Sequence, residues 1–236
     1  MKYLVTTKTM LIVSLALLLS LTFGIQVSAQ DAVAHYSFDG AVEDSTGNFS
    51  EGETTGNRIT KVEPADIQYS DGVSGQALEL TGDYGVKLPN NLITDDSYTV
   101  SIWINPNEIT QFTTTFFAGV ANDNRHQWLS IVPSGPFNTT MVWAGDDPYY
   151  DGDTGTQIPT GEWTHLAFTV DGGEIKIYLD GSEEFSGSGF PDTFSDIEAE
   201  FALGVNHWDT PFKGLLDELK IFDEALSRRD IRSLAR

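Results

Sequence analysis

Three short stretches of this chain set aromatic rings beside hydrogen-bonding side chains: NDNRHQW (122–128), VWAGDDPYY (142–150) and NHWDTPF (206–212). Flat rings cover the C–H faces of sugars, while amides, imidazoles and guanidinium groups meet the hydroxyls. Trp143, Tyr149, Tyr150, Trp208, Asn206, His207, Arg125 and Trp128 are therefore the candidate ligand-binding residues. Acidic neighbours and the lack of apolar alternation around Tyr149, Tyr150 and Trp208 favour exposed rings. Trp103 in VSIWIN and Trp163 in GEWTHLAF are expected in the core.

Bond-cleaving chemistry has less support. Glu198 and Glu200 share a face in EAEFALGV, but the next position on that face is Ala202, and Phe201, Leu203 and Val205 claim the core. A glycosidase needs two carboxyls at a defined separation in distinct environments. His126 and Arg125 with Tyr149 or Tyr150 would imitate a lyase, without a lyase-type motif. No two of His35, His126, His165 and His207 are spaced for zinc. Nucleophile elbows, phosphate loops and dinucleotide fingerprints are absent. Asp147, Asp151 and Asp153 do not fit the twelve-residue calcium loop and read as a solvated acidic loop.

These residues must be positioned by strands. Eleven short runs rich in β-branched and aromatic residues recur between Gly, Asp, Asn and Pro, from AVAHYSF (32–38) to LLDELKIF (215–222). Asp171-Gly172-Gly173 marks a tight hairpin turn. The only helical stripe is the tail SRRDIRSLAR, with Ser227 as its cap. The pattern predicts an all-β, two-sheet antiparallel jelly-roll sandwich with a short C-terminal helix.

Residues 1–29 read as a secretory signal peptide, with Lys2 and Lys8 before the apolar run 10–23 and VSA at 27–29. Residues 30–236 form one domain, expected to be secreted, extracellular or periplasmic. Setting those two lysines aside leaves 11 basic against 35 acidic side chains, a formal charge of −24. Such a surface disfavours nucleic acid and anionic membranes as partners. With no cysteine, no disulfide holds the fold.

Four segments in order, VAHYSFDGAVEDSTGN (33–48), GVSGQALELTGDYGVKLP (72–89), GEWTHLAFTVDGGEIKIYLDG (161–181) and FKGLLDELKIFDEALS (212–227), resemble the laminin-G-like, concanavalin A-like jelly-roll modules of secreted bacterial proteins. The resemblance implies that the first and last strands are antiparallel neighbours, which brings Asp39 beside Asp217. It further implies a structural calcium there, with Asp39 and Asp217 as ligands and Asp44 as a third. The fold hosts lectins, enzymes and adhesion modules alike. The expectation is a non-catalytic module binding a polysaccharide or a cell-surface glycan. The alternatives are a calcium-dependent adhesion module, or a small glycosidase or lyase. The sequence leaves the sugar and the oligomeric state open.

Overall fold

The computed structural model describes residues 31–61, 63–122, 125–145, 148–195 and 197–236, with the backbone alone at 122, 125 and 126. The signal peptide expected at residues 1–29 lies outside the described residues. Among those described, no helix is long and apolar enough to cross a membrane.

The chain runs through β1 (Ala34–Tyr36), β2 (Glu53–Thr55), β3 (Gln68–Asp71), β4 (Gln76–Thr81) and β5 (Gly85–Leu88). Next come β6 (Ser97–Pro106), β7 (Phe116–Asn122), β8 (Arg125–Val132), β9 (Met141–Gly145) and β10 (Tyr150–Asp153). It finishes with β11 (Thr164–Asp171), β12 (Glu174–Leu179), β13 (Ser182–Gly187), β14 (Glu200–Leu203), β15 (Lys213–Phe222) and α1 (Arg228–Leu234). Two antiparallel sheets result, ordered β13-β12-β11-β6-β15-β4-β3, with β1 also on β15, and β10-β9-β8-β7-β14-β5-β2. All eleven expected strands form, and four more join them: β2, β3, β10 and β13.

Period-two alternation sorts the side chains. Ile102, Ile104, Leu129, Ile131, Phe168, Phe201 and Leu216 meet in the core between the sheets. The intervening residues Phe117, Trp128, Ala202 and Val205 form a separate buried cluster on the outer face of the β7–β10 sheet. At the opposite outer face, Ser227 caps α1 by accepting from Asp230 N, and Ile231 packs with Ala167, Tyr178 and Phe222. Trp103 and Trp163 are half-buried and not in the inter-sheet core. Trp103 meets His165 edge-on at 5.2 Å.

β15 has an unusual partner arrangement. One flank lies along β6, with an irregularity between Asp217 and Lys220. The other flank pairs first with β4, from Lys213↔Thr81 to Leu216↔Leu78. It then pairs with β1, from Leu219↔Tyr36 to Ile221↔Ala34. Two strands thus meet end to end along one side, and Asp217 stands at the junction. Its side chain is 0% exposed. Oδ2 accepts from Val73 N at 2.7 Å and Ser74 N at 3.1 Å, and Oδ1 accepts from Glu218 N. A Cβ on Gly72 would overlap this carboxylate, so the β3–β4 turn needs glycine there. Glu218, at φ 51°, turns the other way and accepts from Lys220 Nζ, with His35 Nε2 at 3.0 Å. Those two partners hold its carboxyl down at about 2, against burial.

His165 is wholly buried, bonded through Nε2 to Ser101 Oγ at 2.8 Å, and its Nδ1 has no partner. Burial, with Lys220 adding to it, pushes its pKa from 6.5 down to about 4. The folded protein therefore keeps His165 neutral while the unfolded chain takes up a proton below pH 6.5. Stability present above pH 6.5 falls as pH drops towards 4, by about 3 kcal/mol in all. Asp217, whose folded carboxyl is raised to about 6, contributes in the opposite sense over the same range. The His165 loss is therefore read as a difference: the stability of wild type relative to His165→Gln in urea unfolding should fall by about 2–3 kcal/mol between pH 7 and pH 4.5.

Candidate functional site

Strands β8 and β9 project Trp128, Ser130 and Trp143 from the same outer face, since Ser130 lies opposite Trp143 in the register. Trp128 lies opposite Gly145 on β9 and Gly119 on β7. A Cβ on Gly145 would overlap the Trp128 indole. That missing side chain lets the ring lie across the neighbouring strand.

Around this floor the rings form one connected group. Trp128 stands 5.6 Å from Trp143, 5.4 Å from Trp208 and 6.1 Å from Tyr149, and Trp143 and Tyr149 are 5.0 Å apart. Phe112 stacks on Trp143 at 5.7 Å. These rings line a cleft of about 280 Å³ together with Thr114, Ser130, Val132, Asn206 and Asp209. Trp128, 5% exposed, is its floor, while Tyr149 at 56% and Trp208 at 43% are rims open to solvent. Rings presented edge and face to a half-open cleft suit the alternating C–H and O–H surfaces of a sugar.

The loop after β14 is fixed by one amide. Asn206 Oδ1 accepts from Trp208 N and Asp209 N, and its Nδ2 donates to Thr114 Oγ1 and Asp209 Oδ2. Thr114 Oγ1 continues to Ser130 Oγ at 2.8 Å. Asn206 has thus filled its two-donor, two-acceptor capacity internally, and it holds Trp208 and Asp209 in place. Burial raises the Asp209 carboxyl above its usual 3.8, against the Asn206 hydrogen bond and the nearby Arg58 charge.

Of the residues expected to bind ligand, Trp128, Trp143, Tyr149, Trp208 and Asn206 meet at the cleft. Tyr150 does not. It follows Tyr149 directly, so the strand period turns it to the other face, where it packs edge-on against Phe185 and Phe190. His207 turns aside to Phe117, with Nε2 3.7 Å from Glu200 Oε2. The side chain of Arg125 lies outside the described residues, as do Asp147 and the side chain of His126. Phe112, Thr114, Ser130 and Gly145 were not singled out in the sequence. Phe112 carries a positive φ of 68° in a turn that no residue pattern announces. Glu200 is paired with Lys87 at 2.7 Å and Glu198 accepts from Asn90 Nδ2, both away from the cleft, whose lining among the described residues holds one carboxylate, Asp209.

The acids expected to hold calcium divide. Asp39 Oδ1 accepts from Gln76 N, so Asp39 and Asp217 do converge on the β3–β4 turn. Asp44 has another role. Its carboxylate accepts from His35 N, Thr46 N, Thr46 Oγ1, Asn48 N and Phe49 N, which lowers its pKa against burial and leaves it no lone pair to offer a cation. Among the described residues no group of three or more His, Cys, Asp or Glu side chains is placed to hold a metal ion. A cation at the turn would rest on Asp39, Asp217 and backbone oxygens.

A two-sheet antiparallel sandwich of this strand order defines the jelly-roll class. The chain belongs to the concanavalin A-like lectin/glucanases superfamily, whose Laminin_G_3 model matches residues 80–232. It is similar to domain 4 of AbnA, a GH43 extracellular arabinanase from Geobacillus stearothermophilus solved in complex with arabinotriose. That likeness has 50% identity and a TM-score of 0.83, over 88% of this chain and 99% of that one. The fold is also shared with the binding domain of Paraclostridial Mosquitocidal Protein 1, at 16% identity and TM-score 0.62. The binding domain of botulinum neurotoxin serotype D matches at 15% and 0.60. Each of these two matches covers 87–88% of this chain and about half of the toxin domain. No curated protein sequence matches.

Gly145→Ala should push the Trp128 indole off its strand. We expect altered near-ultraviolet circular dichroism and tryptophan emission, a loss of about 1–3 kcal/mol in urea unfolding, and an otherwise unchanged far-ultraviolet spectrum.

Proposed function

We propose that this protein is an exported, non-catalytic module that binds oligosaccharide chains in the cleft formed by Trp128, Trp143, Tyr149 and Trp208. The observation that carries this reading is the ring cluster itself: two exposed rims over a buried indole floor, on a face the core does not need. A cleft of about 280 Å³ lies near the lower end of ligand pockets, and its open side lets a polymer run past. The likeness to an arabinanase domain solved with arabinotriose makes arabino-oligosaccharides the first ligand to try. Affinity comes from ring stacking and a few hydroxyl hydrogen bonds, and falls in the range of about micromolar to millimolar. The signal-peptide pattern of residues 1–29 supports export.

Calorimetric titration with arabinotriose and with linear arabinan should give saturable binding without release of shorter sugars. Trp208→Ala should weaken it about tenfold, as expected for losing one stacking platform. Appearance of shorter products would place the protein among the enzymes of its superfamily.

We also propose that calcium binds at the β3–β4 turn between Asp39 and Asp217, where a buried carboxylate and a neighbouring one face the same backbone segment. Thermal unfolding with calcium at a hundred times its dissociation constant, against EDTA, should show about 2.7 kcal/mol of added stability. Asp39→Ala and Asp217→Ala should each abolish the shift. An unchanged wild-type melting curve would leave Asp217 as a cap for backbone N–H groups alone.

A further inference from the structure

Asp209 is the one charged side chain among the described residues that line the cleft. Besides the Tyr149 hydroxyl and the indole N–H groups, four polar side chains line it. Thr114 and Ser130 are buried and bonded to each other, and Asn206 has all its hydrogen-bonding capacity engaged within the loop. Asp209 differs. Its Oδ2 accepts from Asn206 Nδ2, while Oδ1 accepts no hydrogen bond among the described residues. The same amide that orients this carboxylate orients the backbone of Trp208, so platform and acceptor are held as one rigid pair. A sugar whose C–H face lies on the Trp208 indole directs its ring hydroxyls sideways, towards such an acceptor. A carboxylate oxygen accepts from neutral hydroxyl donors more strongly than an amide oxygen does.

Among the described residues no cationic side chain lines the cleft, Arg58 standing near Asp209 but outside the lining, and the whole chain carries a formal charge of −22. A sugar bearing its own carboxylate would meet Asp209 at close range, with the nearby Arg58 charge shared between two carboxylates. The five rings, in contrast, take any neutral sugar with an apolar face.

We propose that Asp209 is the polar anchor and charge filter of the cleft: it accepts hydroxyl hydrogen bonds from neutral oligosaccharides and rejects uronic-acid oligosaccharides. This rests on the sugar-binding reading above. The filter acts by desolvated like-charge repulsion, so it persists at moderate salt better than a surface effect does.

The test is calorimetric titration of the full chain with arabinotriose and with trigalacturonate, for wild type, Asp209→Asn and Trp208→Ala, with urea unfolding of each variant. Asp209→Asn keeps an oxygen to accept from Asn206, so its fold and loop should survive. We expect wild type to bind arabinotriose at least tenfold more tightly than trigalacturonate. Asp209→Asn should bind arabinotriose about tenfold more weakly and narrow the gap between the two sugars. Wild-type binding of trigalacturonate as tight as that of arabinotriose would overturn the filter. If Trp208→Ala weakens arabinotriose binding while Asp209→Asn leaves it unchanged, the cleft stands as the binding site and the anchor is overturned. If wild type binds neither sugar, both readings fall.

Discussion

A buried carboxylate at the junction of three strands is the constraint on which much of this sandwich depends. Where β15 exchanges β4 for β1, the sheet has a break, and the turn between β3 and β4 arrives there with backbone N–H groups and no strand to receive them. Asp217 supplies the acceptor. Burying an acid costs free energy, and its carboxyl is accordingly raised to about 6, burial outweighing the N–H groups it accepts. Leaving those N–H groups unmet inside the sheet would cost comparably. The acid in an apolar strand is thus a splice between two partners.

The opposite face is built by subtraction. Gly145, opposite Trp128 on the neighbouring strand, leaves room for its indole to lie across the sheet, and rings from three further segments close around it. The loop that carries Trp208 needs no strand of its own because one asparagine side chain folds it. Rigidity here comes from a saturated amide, and the platform loses little freedom when a ligand arrives.

The sequence made the centre of the fold plain and its margins obscure, for one physical reason. All eleven strands with apolar runs formed, and the four that escaped notice, β2, β3, β10 and β13, are the outermost strands of the two sheets. An edge strand is buried on fewer sides and is kept polar against pairing with other chains, so stretches such as Glu53–Thr55 and Ser182–Gly187 carry little alternation to read. The cleft followed the same division. Its aromatic rings were legible as types. Which of two adjacent tyrosines turned outward depended on the register of β10, one of those silent edges. Asn206 was legible as a polar residue in the right loop. Its role as a brace rather than a free donor needed the four partners in space. Asp44 misled for a related reason: carboxylates that receive backbone N–H groups and carboxylates that hold cations look alike in one dimension.

β1, β15 and α1 all belong to the eight-stranded sheet or its outer face, whereas the cleft opens from the seven-stranded one. The molecule therefore has a front and a back. Its described ends leave from the back, so a tether, a neighbouring domain or a solid support joined at either end would leave the aromatic face turned outward. Display of the cleft is set by strand order, and no linker has to be long or supple to achieve it.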